Sequence, residues 1–147
     1  SETDIYLDAE SRKNSITYRS NLSRLIEQLI IENNFTEAEK ILDNCMQKLP
    51  IDKYGYYTIL EPFISSYYRI NSGEKARKIF DEIAVKYQEN LFYYSTFSNT
   101  AKNRHAEEIY TDIERYRSLV DVLINFEEEE FLDSRMKEFN EYLDLFL

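Results

Sequence analysis

Few residues in this chain have the type and spacing for chemistry. Glu127, Glu128, Glu129 and Glu130 run consecutively and could gather a cation. A calcium loop, however, alternates Asp or Asn with a glycine at its sharp turn, and this run has neither. Four glutamates ahead of an apolar-periodic stretch read instead as the solvated start of a helix, where negative side chains meet the positive end of the helix dipole. His105 is the single histidine. As a general base it would need a nucleophile and an orienting carboxylate, and the spacing nominates neither. Cys45 is the single cysteine, so the chain has no internal disulfide, and one thiol with one imidazole does not make a zinc site. Glu27, Glu32 and Glu61 could supply paired carboxylates for sugar chemistry, but glutamates on exposed helix faces are the ordinary case. No glycine-rich phosphate loop occurs. The expectation is no catalytic residue, no metal and no cofactor.

The elements that would position any site are helices. The 147 residues fall within the range of one domain and include only two glycines and two prolines, which argues for long helices over turn-rich sheet. The net charge of −10 is spread as −4 over residues 1–52, +1 over 53–100 and −7 over 101–147. With no basic cluster, nucleic acid is an unsuitable partner, and anionic lipid is disfavoured. No apolar run approaches the ~20 residues that span a bilayer, and no signal peptide opens the chain. Ser1 stands where a complete gene product would have Met, so an excised or processed piece is expected.

Apolar spacing predicts a lead-in segment over 1–15, with Ile5, Tyr6 and Leu7 as an isolated patch, and a single helical domain over 16–147. The first helix spans about 16–32, with Leu22, Leu25, Ile26, Leu29 and Ile30 facing inward. Asn33 and Asn34 suit its left-handed end. Thr36 and Glu39 make a capping box for a second helix, which Pro50 stops. Residues 51–57 are a connector bearing Tyr54, Tyr56 and Tyr57. A third helix follows, capped by Thr58 with Pro62 in its first turn. After a turn at Asn71, Ser72 and Gly73, a fourth helix runs to about Gln88. Residues 91–97 suit a short helix or turn. A long helix runs from Asn99 or Thr100 to about Asn125, and a last one carries Phe131, Leu132, Met136, Phe139, Leu143 and Phe146 as its buried stripe.

Two of these hairpins repeat. Ala38 and Ala76 lie 38 residues apart, each a few residues after a turn signal and four before a large apolar residue, Leu42 or Phe80. The small residue lets two helices cross closely. On a ~34-residue frame this resembles a tetratricopeptide repeat: Leu22, Leu25, Ile26, Leu29, Ala38, Leu42, Cys45 and Pro50, then Leu60, Phe63, Ile64, Tyr67, Ala76, Phe80 and Ile83. The four extra residues fall in the 51–57 connector. The resemblance implies an all-α, α-α superhelical domain with repeat hairpins at about 16–50 and 58–88 and a longer, cap-like terminal hairpin at 100–147.

A second resemblance rests on the order of segments. These are Tyr18-Arg19-Ser20-Asn21-Leu22-Ser23-Arg24-Leu25, then Leu42-Asp43-Asn44-Cys45-Met46-Gln47-Lys48-Leu49-Pro50, the tyrosine-rich connector, Pro62, Tyr67-Tyr68, Leu91-Phe92-Tyr93-Tyr94 and the final Glu141-Tyr142-Leu143. The chain resembles the C-terminal domain of a family of large bacterial multi-pass membrane proteins. Their membrane portion is similar to GT-C glycosyltransferases, including protein O-mannosyltransferases. That implies a non-catalytic, periplasmic protein-interaction domain of a membrane glycosyltransferase-like protein. The alternatives are a structural domain that packs on the membrane portion or self-associates, and a cytoplasmic location. The implied partner is a protein or peptide, including the membrane portion of the same chain, with no nucleic acid and no insertion of this segment into the membrane.

Tetratricopeptide domains hold ligands against the first helix of each hairpin. Carried onto this sequence, the groove positions are Ser20, Ser23 and Glu27, then Glu61, Ser65, Tyr68 and Arg69. The family's acidic-peptide clamp uses lysine and asparagine where this chain has Ser23 and Glu27, so a neutral or basic segment is the better fit, with Tyr68 as its flat apolar contact.

Overall fold

The computed structural model describes the backbone over residues 9–48, 60–127 and 129–147, with side chains at those positions except 9–16 and 19. Among the described residues there are seven α-helices and no strand. In chain order they are α1 (Ala9–Ile31), α2 (Phe35–Lys48), α3 (Glu61–Arg69), α4 (Gly73–Ser95), α5 (Asn99–Arg104), α6 (Ala106–Phe126) and α7 (Glu129–Leu143), with a 3-10 turn over Asp144–Phe146. The chain divides into two compact units, 1–76 and 77–147, and the division falls within α4. The expected roles of Ile5, Tyr6 and Leu7, of Leu49 and Pro50, of Tyr54, Tyr56, Tyr57 and of Thr58 lie outside the described residues.

In the first unit α1 packs on α2 and α3, and α2 also meets α3. The two interhelical turns are the same object. After α1, the Asn33 amide donates to the Ile30 carbonyl and the Asn34 amide to the Leu29 carbonyl. After α3, the Asn71 amide donates to the Tyr68 carbonyl and the Ser72 amide to the Tyr67 carbonyl. Every donor and acceptor is displaced by 38 residues. Asn33 and Asn71 both hold a left-handed backbone, at φ 58° and 65°. This is the Schellman closure, in which one left-handed residue lets two amides satisfy carbonyls the helix leaves open. The next helix then starts alike in both cases, with the Ala38 amide donating to Asn34 and the Ala76 amide to Ser72. Both alanines are fully buried.

That geometry corrects one cap. Because the turn closes at Asn33, α2 begins at Phe35 and Thr36 falls inside its first turn, two residues after the capping position Asn34. Glu39 does not complete a capping box; its carboxylate accepts from Ser72 and Lys75. The Pro62 expectation holds: proline occupies the first turn of α3, where its missing amide leaves no helical bond unmade. The apolar face of α1 is half right. Ile26 and Ile30 are buried, but Leu25 is 46 % exposed.

In the second unit α6 packs on α7 and α5 on α6. Residues 91–95 continue α4 to Ser95, so the helix is longer than expected. The cap that follows is Ser98, whose hydroxyl accepts from the Ala101 amide. The expected long helix is interrupted at His105, which ends α5 and precedes α6. Ile109, Ile113, Tyr116, Leu119, Val120 and Leu123 form the buried face of α6. Tyr116 stacks on Tyr87 and meets Phe139 edge-on at 5.0 Å. On α7 only Phe139 is buried, and Met136 is 39 % exposed, so the expected six-residue stripe is narrower in fact.

Candidate functional site

The seven groove positions sit on two helices of the first unit. Ser20, Ser23 and Glu27 lie at i, i+3 and i+7 of α1, so they share one face. Glu61, Ser65, Tyr68 and Arg69 lie at i, i+4, i+7 and i+8 of α3 and share another. Ser20, Glu27 and Arg69 are exposed, and Ser23, Glu61, Ser65 and Tyr68 half-buried. Arg69 donates directly to the Glu27 carboxylate, which joins the two sets across the α1–α3 contact. Both partners are at least a third exposed, so the pair contributes no more than ~0.2–1 kcal/mol. Tyr68 lies along the start of α4, where its ring carbons stand 3.7 and 3.8 Å from the position a Cβ on Gly73 would take.

A polar network joins α2 to α3 and to the start of α4. The Tyr67 hydroxyl donates to Asp43 at 2.7 Å, and Lys75 bridges Asp43 at 2.7 Å and Glu39 at 2.9 Å. The Ser72 hydroxyl donates to the same Glu39 oxygen. The hydrogen bonds from Lys75 and Ser72 hold the Glu39 carboxyl below its ordinary range, and those to Asp43 and Glu39 hold the Lys75 ammonium above its own. Burial, then the bond to Asp43, pushes the Tyr67 phenol well above its usual range. The i, i+4 spacing of Glu39 and Asp43 put both on one helix face in the sequence, but nothing local named Lys75 or Tyr67 as their partners.

The second unit carries its own charged cluster, in which the aspartate but not its cation recurs at the spacing of 38. Asp81 stands 38 residues after Asp43, and Arg135 of α7 pairs with it through two bonds of 2.7 and 2.8 Å. Arg77 holds Glu127 in the same two-bonded way. The rings of Phe131 and Phe80 meet edge-on, and both guanidinium groups lie over the Phe131 ring, at 5.0 Å for Arg77 and 4.4 Å for Arg135. The Glu127 side chain is only 3 % exposed, which overturns the reading of the whole glutamate run as solvated. Glu129 and Glu130 do fall in the exposed first turn of α7.

His105 belongs to an aromatic cluster, 5.7 Å from the Tyr94 ring and 5.4 Å from that of Phe97, with Glu108 3.8 Å from its Nδ1. An open groove of about 600 Å³ lies along α5 and α6, lined by Lys102, Ile109, Tyr110, Ile113 and Phe146. Lys102 is the one cationic side chain in its lining. Asp112 is held above its ordinary range by burial, opposed by Arg115 and a hydrogen bond to Asn90. Cys45 is buried, and among the described residues no cluster of His, Cys, Asp and Glu has the arrangement of a metal site. No helix among the described residues is long and apolar enough to cross a membrane. Compared with protein-family models, with curated proteins and with solved structures, the chain finds no match in any of the three.

Proposed function

We propose that this chain is a non-catalytic, tetratricopeptide-like protein-interaction domain that receives a neutral or basic segment along α1 and α3. The observation that carries the reading is the repeated turn. One set of hydrogen bonds, one left-handed asparagine and one buried alanine recur at a spacing of 38. Repeats of this kind present the first helix of each hairpin as a continuous surface. The paired aspartates, Asp43 and Asp81, support the same reading, since each takes a cation from a later helix. The Glu27–Arg69 pair supports the charge preference, because an acidic segment must displace Glu27 to reach Arg69.

The wider setting rests on the resemblance. In our proposal the domain follows a GT-C-like membrane glycosyltransferase portion and lies on the periplasmic side, where it positions a protein or peptide. Self-association or packing on the membrane portion is the second reading, favoured by Phe92 and Tyr93, each 62 % exposed near the end of α4. Capture from periplasmic extract by the native chain and by Tyr68→Ala tests the first. The expected result is a loss of at least ~1 kcal/mol in capture with an unchanged thermal melt. Equal capture by both removes the α1–α3 surface from consideration, and a large fall in melting temperature makes Tyr68 a core residue.

A further inference from the structure

The repeat also exposes a face that the first hairpin leaves open. The shared turn fixes which positions correspond: Leu22 with Leu60, Leu25 with Phe63, and Leu29 with Tyr67. In the second hairpin all three are buried, at 0, 0 and 2 % exposure, beneath α1 and α2. In the first hairpin Leu25 is 46 % exposed, and Leu22 and Leu29 are half-buried. Tyr18, 47 % exposed, extends the stripe by one turn. On α1 these four residues follow a 4-3-4 spacing, so they line one side of the helix. They lie on the opposite flank of the buried Ile26 and Ile30 from the groove positions Ser20, Ser23 and Glu27.

What covers the corresponding face in the second hairpin indicates what fits here. There α2, one of the two covering helices, accepts from the Tyr67 hydroxyl through Asp43 and offers Glu39 and Asp43, one turn apart, to Lys75. The residue corresponding to Lys75 in the first hairpin is Glu37, exposed in the first turn of α2. The charge is reversed. A helix seated as α2 is seated would therefore meet a carboxylate where α2 meets an ammonium. We infer that the Tyr18-Leu22-Leu25-Leu29 face is a second docking surface, whose occupant is an amphipathic helix carrying lysine or arginine at two positions one turn apart beside its apolar stripe. The groove ligand and this helix bind different flanks of α1, so the surface is independent of the groove reading.

The test uses the full chain and two synthetic peptides longer than ~15 residues, the length below which an isolated helix is marginal. They share a leucine stripe and differ only in bearing lysine or glutamate at the two flanking positions. The lysine helix is expected to bind at least about tenfold more tightly than the glutamate helix at low salt. Leu25→Asp should abolish binding without moving the thermal melt, since Leu25 is half-exposed. Glu37→Lys, a surface change, should invert the preference between the two helices even if Leu25→Asp proves unstable. Equal affinity for both helices, or no binding of either, overturns the proposal. So does self-association of the native chain that Leu25→Asp abolishes, because a second copy would then be the occupant.

Discussion

Ala76→Leu tests the packing on which the repeat depends. Ala76 has no accessible surface, and its amide already closes the first turn of α4 onto Ser72. A leucine there adds three carbon atoms to a position with no free volume. Interiors are packed about as densely as organic crystals, so the added atoms must displace a helix or force an off-rotamer side chain. The cost of such overpacking is about 1–3 kcal/mol. For a chain of this size each kcal/mol moves the melting temperature by roughly 2–4 °C, so a fall of about 2–12 °C is expected. Ala38→Leu, at the equivalent and equally buried position, should fall by a similar amount. Ala106→Leu serves as control, because Ala106 is exposed at the start of α6. Urea melts of the three variants decide it. If Ala76→Leu and Ala38→Leu melt with the native chain, the alanines are not at close crossings and their recurrence carries no structural weight.

Further outcomes follow from the turns, the network and the buried carboxylate. Asn33→Gly and Asn71→Gly should leave stability nearly unchanged, while Asn33→Val should cost about 1–2 kcal/mol through its left-handed backbone, as read from urea melts. Glu39 has a depressed folded-state pKa, so its contribution is present above the ordinary value of 4.5 and is lost as pH falls through the depressed one. Glu39→Gln should therefore be less stable than the native chain at neutral pH, and the difference should shrink in acid below that range. Burial pushes the Tyr116 phenol up to about 12, so in an alkaline absorbance titration Tyr116 should ionise above the ordinary phenol value of 10.0, with stability falling as pH rises above that value. Arg77→Ala should destabilise more than Glu127→Gln, by about 1–3 kcal/mol, because it removes the bidentate partner of a carboxylate that is 3 % exposed.

How much of this was legible in the sequence follows the range of each interaction. The turns at Asn33 and Asn71 and the buried alanines could be read because their signals are local. Thr36 was misplaced by one turn element: its hydroxyl and Glu39 have capping-box spacing, but the left-handed Asn33 closes the turn earlier. The break at His105 carries no proline or glycine to announce it. Periodicity put Leu25 on an apolar face but did not say whether anything covers it. Glu127 looked like its neighbours in the glutamate run, and only Arg77, 50 residues away, sets it apart. The joining of Glu27 to Arg69, 42 residues apart, is of the same kind. Fold class rests on local periods, whereas the site rests on pairings that a single sequence does not name.

Site-specific photo-cross-linking most directly tests the claim that α1 and α3 form a protein-binding surface. A photoreactive residue is placed at Ser23 or Ser65, and at the exposed Lys78 of α4 as reference, in the full-length protein in its native cells. The account predicts that a partner is trapped from Ser23 and from Ser65 but not from Lys78, and that Tyr68→Ala reduces the yield at both. Equal trapping from all three positions, or none from the first two while the chain remains folded, would contradict it.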